Sequence, residues 1–403
     1  MTDTSLLHAA APIDRFRALV MADPALQQRL SVIVDQEVFV EALLSAAADA
    51  GIAITADEAN AGLTPDPLGL WRFNGAPVTS RTAPDGDWLP VAIVPSSGEL
   101  AVDWAHFSGL PLVDSFFEDS LRRARHRPLN RLVRPRTPLS TLLDSVGENP
   151  PVPAGFVFHQ SRCGSTLVAQ MAAADARNVV VSEAVPIDTV VQLATVRTDL
   201  PIDERLRLVR AVVGALGRDR MGGAGHYIVK LDSWHTIALP LFRLAFPDTP
   251  WIFLYRDPVE ILVSHARMAG AQTVFGAMSF DPYGIDESMA MPPDHYAARA
   301  LGRTAEAVIE HLGLGGGMLV NYAELPEAMA MRILPHFGIA PDEEALAALA
   351  TASGRNAKAP NERFVHDSGD KQQEAKDGLR AIAALYMDEP YRHLEGLRRA
   401  GEK

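Results

Sequence analysis

The sequence contains one cysteine, Cys163, among its 403 residues. An intramolecular disulfide is therefore impossible, which fits a reducing compartment. The first residues lack the basic start and apolar run of a signal peptide. No stretch reaches the ~18 consecutive apolar residues that a membrane span requires. We therefore expect a cytoplasmic protein with no membrane span.

Basic residues are outnumbered by acidic ones, 37 against 50, so the formal net charge is −13. An acidic surface repels polyanions, so we expect no nucleic-acid partner. Residues 121–136 depart from this average, since they are rich in arginine. Two interpretations of this segment stay open: a solvated helix face with an extended strap, or a rim that attracts an anionic ligand. The histidines show no spacing typical of metal ligands, so we expect no metal.

Three regions differ in composition and residue pattern, and they predict domains at 1–63, 64–150 and 151–403. The first is Ala-rich with a helical period, as in Phe39, Leu43 and Ala47, and Thr55-Ala-Asp-Glu58 reads as a capping box. It resembles the small helical leader-like module named after nitrogen-fixation gene clusters, through a Phe-x-x-apolar and Asp-Pro-x-apolar pattern. The second region is rich in Pro, Gly and Trp and predicts an accessory region with a linker.

From about residue 154 the pattern changes to short apolar runs that alternate with helical stretches. Each run has the length of a buried strand. This alternation predicts an α/β fold in which a central parallel sheet carries helices on both faces, preceded by a mostly helical N-terminal region. Ligands of such sheets bind beyond the carboxyl ends of the strands. The predicted strands are Gly155–His159, Val179–Ser182, Tyr227–Leu231, Trp251–Tyr255 and Met318–Tyr322.

The loop after the first of these strands suits an anion. Gly164 allows close backbone approach, Ser165 and Thr166 add hydroxyl donors, and Arg162 adds a charged fork. A Walker A loop is excluded, because position 159 is His where that motif has Gly, and position 165 is Ser where it has Lys. A Cys-based phosphatase loop and a Gly-x-Ser-x-Gly elbow are excluded as well.

The segment Ser161-Arg-Cys-Gly-Ser-Thr-Leu167 resembles the 5′-phosphosulfate loop of sulfotransferases that use PAPS (3′-phosphoadenosine-5′-phosphosulfate). The match is to the branch that includes the protein-tyrosine sulfotransferases, with Ser161 in place of Pro and Cys163 in place of Ser. The resemblance implies a P-loop-like three-layer sandwich. It also implies that PAPS is the cosubstrate and 3′-phosphoadenosine 5′-phosphate the product. The donor-binding residues that it implies here are Arg162, Cys163, Gly164, Ser165 and Thr166.

Two later segments also resemble this family. Arg256-Asp-Pro258 follows an apolar strand, and Ser264 comes two helical turns later, as in the family's 3′-phosphate site. A strand–helix turn with a local ion pair is the alternative for Arg256. Lys358 and Arg363 lie where the family has a late basic loop that closes on the same phosphate.

The resemblance further implies that Glu183, at the end of the second strand, is the general base, while Arg162 stabilises the developing charge. Sulfuryl transfer needs such a base and cations because the acceptor loses a proton and charge builds on the leaving phosphate. A solvated or capping role is the alternative for Glu183, and His159 is a second candidate for the base. Lys230 either assists the reaction or forms an ion pair with Asp232.

We therefore expect a sulfotransferase that acts on a hydroxyl acceptor, which is a small molecule, a sugar or a peptide tyrosine. Two other classes stay open. One is a nucleotide-dependent kinase, which the missing loop lysine argues against. The other is a non-catalytic adenine-nucleotide sensor or a partner-docking protein that uses the N-terminal module.

Overall fold

A computed structural model describes residues 11–63, 77–147, 149–220, 222–223, 225–286, 288–356, 359–363 and 367–401, and for 355–363 the backbone alone. The chain forms two compact units. The first comprises residues up to 111 together with 118–150, and the second comprises 112–117 and the chain from 151 onward. The predicted division of the chain at 63 and 150 stays a prediction.

The first unit begins with four helices, which form the predicted helical N-terminal region. Phe39, Leu43 and Ala47 share one buried face of the third helix, as predicted. Thr55 and Glu58 form the predicted capping box. A four-stranded sheet of order β1-β4-β3-β2 follows. The elements are α1 (Pro12–Ala22), α2 (Pro24–Ser31), α3 (Gln36–Asp49), α4 (Ala56–Gly62), β1 (Val78–Thr79), β2 (Trp88–Ser96), β3 (Glu99–His106), α5 (Phe117–Arg125), α6 (Pro128–Leu132), β4 (Pro135–Pro138) and α7 (Leu139–Ser145).

Two arginines of the segment 121–136 form bonds to other elements of the first unit. Arg136 forms a two-bond ion pair with Asp103 across the β3–β4 ladder, at 2.5 and 2.8 Å. Arg131 donates to the Gln36 amide oxygen at 3.1 Å, which ties α6 to α3. Such bonds commit these guanidinium groups to the fold.

The second unit alternates strands and helices. Its elements are β5 (Gly155–His159), α8 (Ser165–Ala173), β6 (Val179–Ser182), α9 (Val185–Val196), α10 (Ile202–Leu216), β7 (Tyr227–Lys230), α11 (Leu239–Ala245), β8 (Trp251–Tyr255), α12 (Pro258–Arg267), α13 (Pro293–His311), β9 (Gly317–Asn321), α14 (Leu334–His336), α15 (Glu343–Ser353), β10 (Arg355–Asn356), β11 (Ala359–Arg363), α16 (Ser368–Glu374), α17 (Asp377–Tyr386) and α18 (Asp388–Gly401). A 3₁₀ segment, Ser233–Ala238, precedes α11, and a π-helical turn, Met329–Ile333, precedes α14.

Five of these strands form one parallel sheet of order β6-β7-β5-β8-β9. The predicted α/β fold with a central parallel sheet is confirmed, and each predicted strand is found within one residue of its expected bounds. The chain leaves β5 toward one edge of the sheet and later crosses to the other edge. This change of direction places a topological switch at β5, where ligands of open α/β sheets bind.

Alternate residues of β5 and β8 face two different cores, as the period of two in a strand requires. Val157 packs with Leu167 of α8 in one core. Phe156 and Phe158 face the other way and contact Phe242 of α11, with ring centroids 5.3 and 5.4 Å apart. Helices therefore cover both faces of the sheet, which is the predicted three-layer arrangement.

Gly155 begins β5 because the chain passes very close to an aromatic ring there. A Cβ atom at this position would lie 2.3 Å from the ring of Phe337. Both residues are buried, so neither can move away without disturbing the core.

We predict that Gly155→Ala destabilises the protein by about 1–3 kcal/mol, because the added methyl group overpacks the core against Phe337. The Gly155→Ala/Phe337→Leu double variant should regain part of this loss. Chemical denaturation measures both. Gly313→Ala is the matched control, since a Cβ atom there meets nothing within 4 Å. Equal stability of the Gly155 and Gly313 variants would contradict the close contact.

Candidate active site

The loop between β5 and α8 carries two residues in the left-handed backbone region. Arg162 has a φ of 64° and Gly164 a φ of 92°. A Cβ atom on Gly164 would also lie 2.7 Å from the ring of Tyr322. Both the backbone angle and this close approach therefore favour glycine. The turn brings the first N–H groups of α8 to the carboxyl edge of the sheet, where such groups bind anions.

Each predicted donor-loop side chain has a defined place. Arg162 donates from Nη2 to the carbonyl oxygen of Met268 at 2.7 Å, and its side chain is half-buried. Burial lowers the pKa of Arg162, and the charge of Glu183 opposes this shift. Ser165 and Thr166 form the buried first turn of α8. These residues lie together at one strand end, as the sequence predicts.

Cys163 packs inside the loop. Its side chain is fully buried, and Sγ donates to the carbonyl oxygen of Leu254 on β8 at 3.1 Å. Burial raises the pKa of the Cys163 thiol to about 12. A buried thiol that stays protonated is not a nucleophile at neutral pH. Cys163 thus holds the loop against β8.

Glu183 lies directly after β6 with a φ of 51°. Its N–H donates to the Lys230 carbonyl oxygen at 2.8 Å, which continues the β6–β7 ladder past the strand end. Its carboxylate forms an ion pair with the Lys230 ammonium. The Lys230 side chain is 1% exposed and that of Glu183 is 23% exposed. The Glu183 side chain is therefore partly exposed, while the lysine that holds it is buried.

This ion pair determines the ionisation of Glu183. Burial raises the pKa of the carboxyl group, but the charge of Lys230 and a hydrogen bond with His159 lower it by more. The net pKa is lower than the ordinary value, so Glu183 is ionised at neutral pH. Asp232 shifts the other way, because burial and the charge of Glu183 both raise its pKa. The site therefore has one partly exposed, ionised carboxylate beside a buried cation.

His159, the second candidate for the base, is held at both ring nitrogens. Nε2 lies 2.9 Å from the Leu231 carbonyl oxygen and Nδ1 lies 3.1 Å from that of Gln160. Both ring nitrogens therefore face backbone carbonyl oxygens, and the side chain is buried. Its Nε2 also lies 3.5 Å from the Glu183 carboxylate, which it helps to orient.

The second predicted donor-binding segment, with Arg256 and Ser264, already forms hydrogen bonds to protein groups. Arg256, 4% exposed, donates to Glu260 at 2.5 Å and to Asp367 at 2.6 Å. The hydroxyl of Ser264 donates to the Glu260 carbonyl oxygen of its own helix at 2.9 Å. A phosphate at Arg256 would therefore compete with these acceptors.

One aromatic ring contacts both the donor loop and Arg256. Tyr322 packs against Gly164 of the donor loop, and the Arg256 guanidinium lies over the same ring, 3.8 Å from its centroid. The structure thus brings the donor loop and Arg256 into contact with the same ring. The sequence places Tyr322 at the end of the last predicted strand and gives it no role in the site. Its signal was its place directly after β9, whose carboxyl end neighbours that of β8.

The predicted late basic loop is described only in part. Lys358 lies outside the described residues. Arg363 ends β11, which pairs with β10, and its side chain lies outside the described part of the chain.

Phe116 was missed by sequence reasoning. It precedes the α/β region, yet its ring lies 5.1 Å from the Lys230 ammonium. Segment 112–117 belongs to the second unit, and the Val113 carbonyl oxygen accepts from Gln170 of α8 at 2.8 Å. An aromatic face beside a buried ammonium stabilises the cation. No local pattern around Phe116 predicts this long-range contact.

An apolar cavity of about 440 Å³ lies between α12, α13, α17 and the chain from 269 to 291. Ala269 lines it and follows Met268, whose carbonyl oxygen holds Arg162. The same stretch of chain reaches the sheet edge, where Gln272 donates to Ser233 at 2.8 Å. A cavity of this size and lining suits an organic molecule. Its apolar walls include Leu262, Ala266, Val274, Phe275, Met291 and Tyr296.

No group of three or more His, Cys, Asp or Glu side chains among the described residues is arranged to hold a metal ion. No helix within the described ranges is long and apolar enough to cross a membrane.

No family model and no curated protein matches the chain. Solved structures similar to it include sulfotransferase STF9 from Mycobacterium avium, with 12% identity over 62% of this chain and 81% of that chain and a TM-score of 0.39. The sulfotransferase from Alicyclobacillus acidocaldarius has 14% identity over 62% and 96%, with a TM-score of 0.37. The sulfotransferase domain from the curacin biosynthetic pathway has 13% identity over 59% and 98%, with a TM-score of 0.36. All three are sulfotransferases.

Proposed function

We propose that the protein is a PAPS-dependent sulfotransferase of the cytoplasm that transfers a sulfuryl group to a hydroxyl acceptor. The observation that carries this proposal is the meeting of three strand ends. The donor loop follows β5, Glu183 follows β6 and Lys230 ends β7, and these strands are adjacent in the sheet. An anion site, a carboxylate and a buried cation therefore share one edge.

In the proposed reaction, PAPS supplies the sulfuryl group and a phosphate leaving group. The N–H groups of α8 and the guanidinium of Arg162 bind the 5′-phosphosulfate. Glu183 takes the proton of the acceptor hydroxyl, whose oxygen forms the new S–O bond as the bond to the phosphate breaks. The charge that develops on the leaving oxygen faces Arg162 and the start of α8.

Lys230 has two partners in this scheme. It holds the Glu183 carboxylate in the free protein, and a sulfonate at the donor loop attracts the same ammonium. When Lys230 shifts toward the donor, the pKa of Glu183 rises and the carboxylate becomes a stronger base. Donor binding would thus prepare the base for its proton transfer.

The cavity beside Met268 favours an acceptor with an apolar body among the three acceptor classes. Its walls carry few polar groups, whereas a sugar requires many hydrogen-bond partners once it is buried. A small phenol or a peptide tyrosine side chain fits this lining better.

Glu183→Gln should lower turnover by about 10²–10⁴-fold, the usual contribution of a general base. Donor binding should survive, because the amide oxygen still accepts from Lys230. The assay measures labelled sulfur transfer from PAPS to p-nitrophenol, tyrosine peptides and sugars, with products identified by mass spectrometry. Glu204→Gln, an exposed carboxylate at the start of α10, is the matched control. Retention of most turnover by Glu183→Gln would show that another group is the base.

Nucleotide binding separates the sulfotransferase from the kinase. We expect 3′-phosphoadenosine 5′-phosphate to raise the thermal unfolding midpoint, because a ligand that binds only the folded state stabilises it. ATP with Mg²⁺ should give no comparable rise, since the donor loop has Ser165 where kinases of this loop type need lysine. The opposite ranking of the two nucleotides would favour the kinase.

Lys230→Met should move the acidic limb of the kcat/KM pH profile to higher pH. The rate falls as pH drops through the pKa of Glu183, and removing the ammonium raises this pKa while burial persists. Lys230→Arg keeps the positive charge and should keep the limb near its original pH. If all three proteins titrate at the same pH, Glu183 does not cause the limb.

A further inference from the structure

The first unit contains a cavity of about 380 Å³ between the end of α1, the start of α2 and the chain from 80 to 87, which leads from β1 to β2. All the residues that line it belong to this unit, whereas the donor loop belongs to the second. Its volume lies in the range of sites for small organic molecules. The cavity is therefore a candidate binding site that the proposed sulfuryl transfer does not use.

Two buried polar side chains that line the cavity are held in a fixed arrangement. Gln27, 8% exposed, donates from Nε2 to the Val20 carbonyl oxygen at 2.8 Å and accepts from Trp88 Nε1 at 2.9 Å. The Trp88 ring packs edge-on against the ring of His106, which is 3% exposed, with centroids 5.0 Å apart. His106 Nδ1 accepts from the Ser108 N–H at 3.0 Å. These contacts preform one side of the cavity, as is usual for small-molecule sites.

The charged groups around the cavity are all negative. Asp85 and Asp87 line it, and none of its twelve lining residues is Lys or Arg. The last turn of α1, with Met21, also lines it, and the carbonyl end of a helix carries a partial negative charge. A cationic ligand is therefore attracted to this cavity, and an anionic one is repelled.

The uncharged part of the lining limits the kind of cation. Met21, Pro24, Ala83 and Pro84 provide apolar walls, which suit a hydrocarbon body. Quaternary ammonium groups bind to the faces of aromatic side chains, but no Trp, Tyr or Phe lines this cavity. An ammonium with N–H groups instead donates charge-assisted hydrogen bonds to carboxylates. The described residues also offer no metal-binding group of three or more His, Cys, Asp or Glu.

We propose that this cavity binds a small organic amine in its protonated form, with Asp85 and Asp87 as the residues that bind the ammonium group. Asp85 accepts from the Gly86 N–H at 2.8 Å and Asp87 from the Gly109 N–H at 2.9 Å. Because a carboxylate provides about four acceptor positions, such a bond orients it and still allows a ligand to bind. The site is independent of the proposed sulfotransferase function.

Isothermal titration of the full chain with 2-phenylethylamine, 2-phenylethanol and 3-phenylpropionate tests the site, because these compounds are similar in size and differ in charge. The amine should bind at least about tenfold more tightly than the alcohol, and the carboxylate should bind most weakly. Asp85→Asn should weaken amine binding about tenfold, as expected for one charge-assisted bond, and should leave alcohol binding unchanged. Asp49→Asn, at an exposed carboxylate that ends α3 and does not line the cavity, is the matched control.

Ala83→Phe tests the location without changing the charge, since the larger side chain fills the cavity and should abolish amine binding. Thermal unfolding without ligand first establishes that each variant is folded. If Ala83→Phe does not fold, Asp85→Asn still decides the outcome, because position 85 is exposed. Equal affinity for the three compounds, no binding of the amine at millimolar concentration, or amine binding that neither substitution weakens would each overturn the proposal. Sulfur transfer is not measured in this experiment, so none of these results bears on the proposed function.

Discussion

The ion pair of Lys230 and Glu183 is the interaction on which the site depends. Lys230 ends a central strand and is almost completely buried, so its ammonium needs an anion nearby. Glu183 provides it, but only with a left-handed backbone at the end of β6. That backbone continues the β6–β7 ladder and turns the carboxylate toward the sheet edge. A requirement of folding, the neutralisation of a buried charge, therefore also creates a partly exposed and ionised carboxylate.

A second constraint links the parts of the edge that bind anions. The Tyr322 ring packs so closely on the donor loop that residue 164 has to be glycine, and the Arg256 guanidinium rests on the same ring. A change in the Tyr322 ring position therefore affects the loop and Arg256 together. The loop also contacts β8 through the Cys163 thiol, so its geometry is fixed from two sides.

Short apolar runs were enough to predict the five parallel strands, because a strand buried on both faces must be apolar along its whole length. The capping box at Thr55 was equally readable, since its partners are three residues apart. The sequence did not predict the contacts of Arg256 with Asp367 and of Phe116 with Lys230. They join residues far apart in sequence, and no local pattern encodes such pairs. The left-handed backbone of Glu183 could not be predicted from the sequence either, because glutamate has no preference for that region.

Arg162 donates to a backbone carbonyl oxygen, but three other cations near the site share one property: in the free protein each is paired with a carboxylate. Lys230 is held by Glu183, Lys371 by Asp367, and Arg256 by Glu260 and Asp367. With a net charge of −13, the chain as a whole does not attract anions from a distance. An anionic ligand must instead displace internal carboxylates, and a single negative charge offers little advantage over the one it replaces. These sites therefore bind ligands with several charges at separate positions in preference to singly charged ones. Only such ligands replace two displaced carboxylates at once.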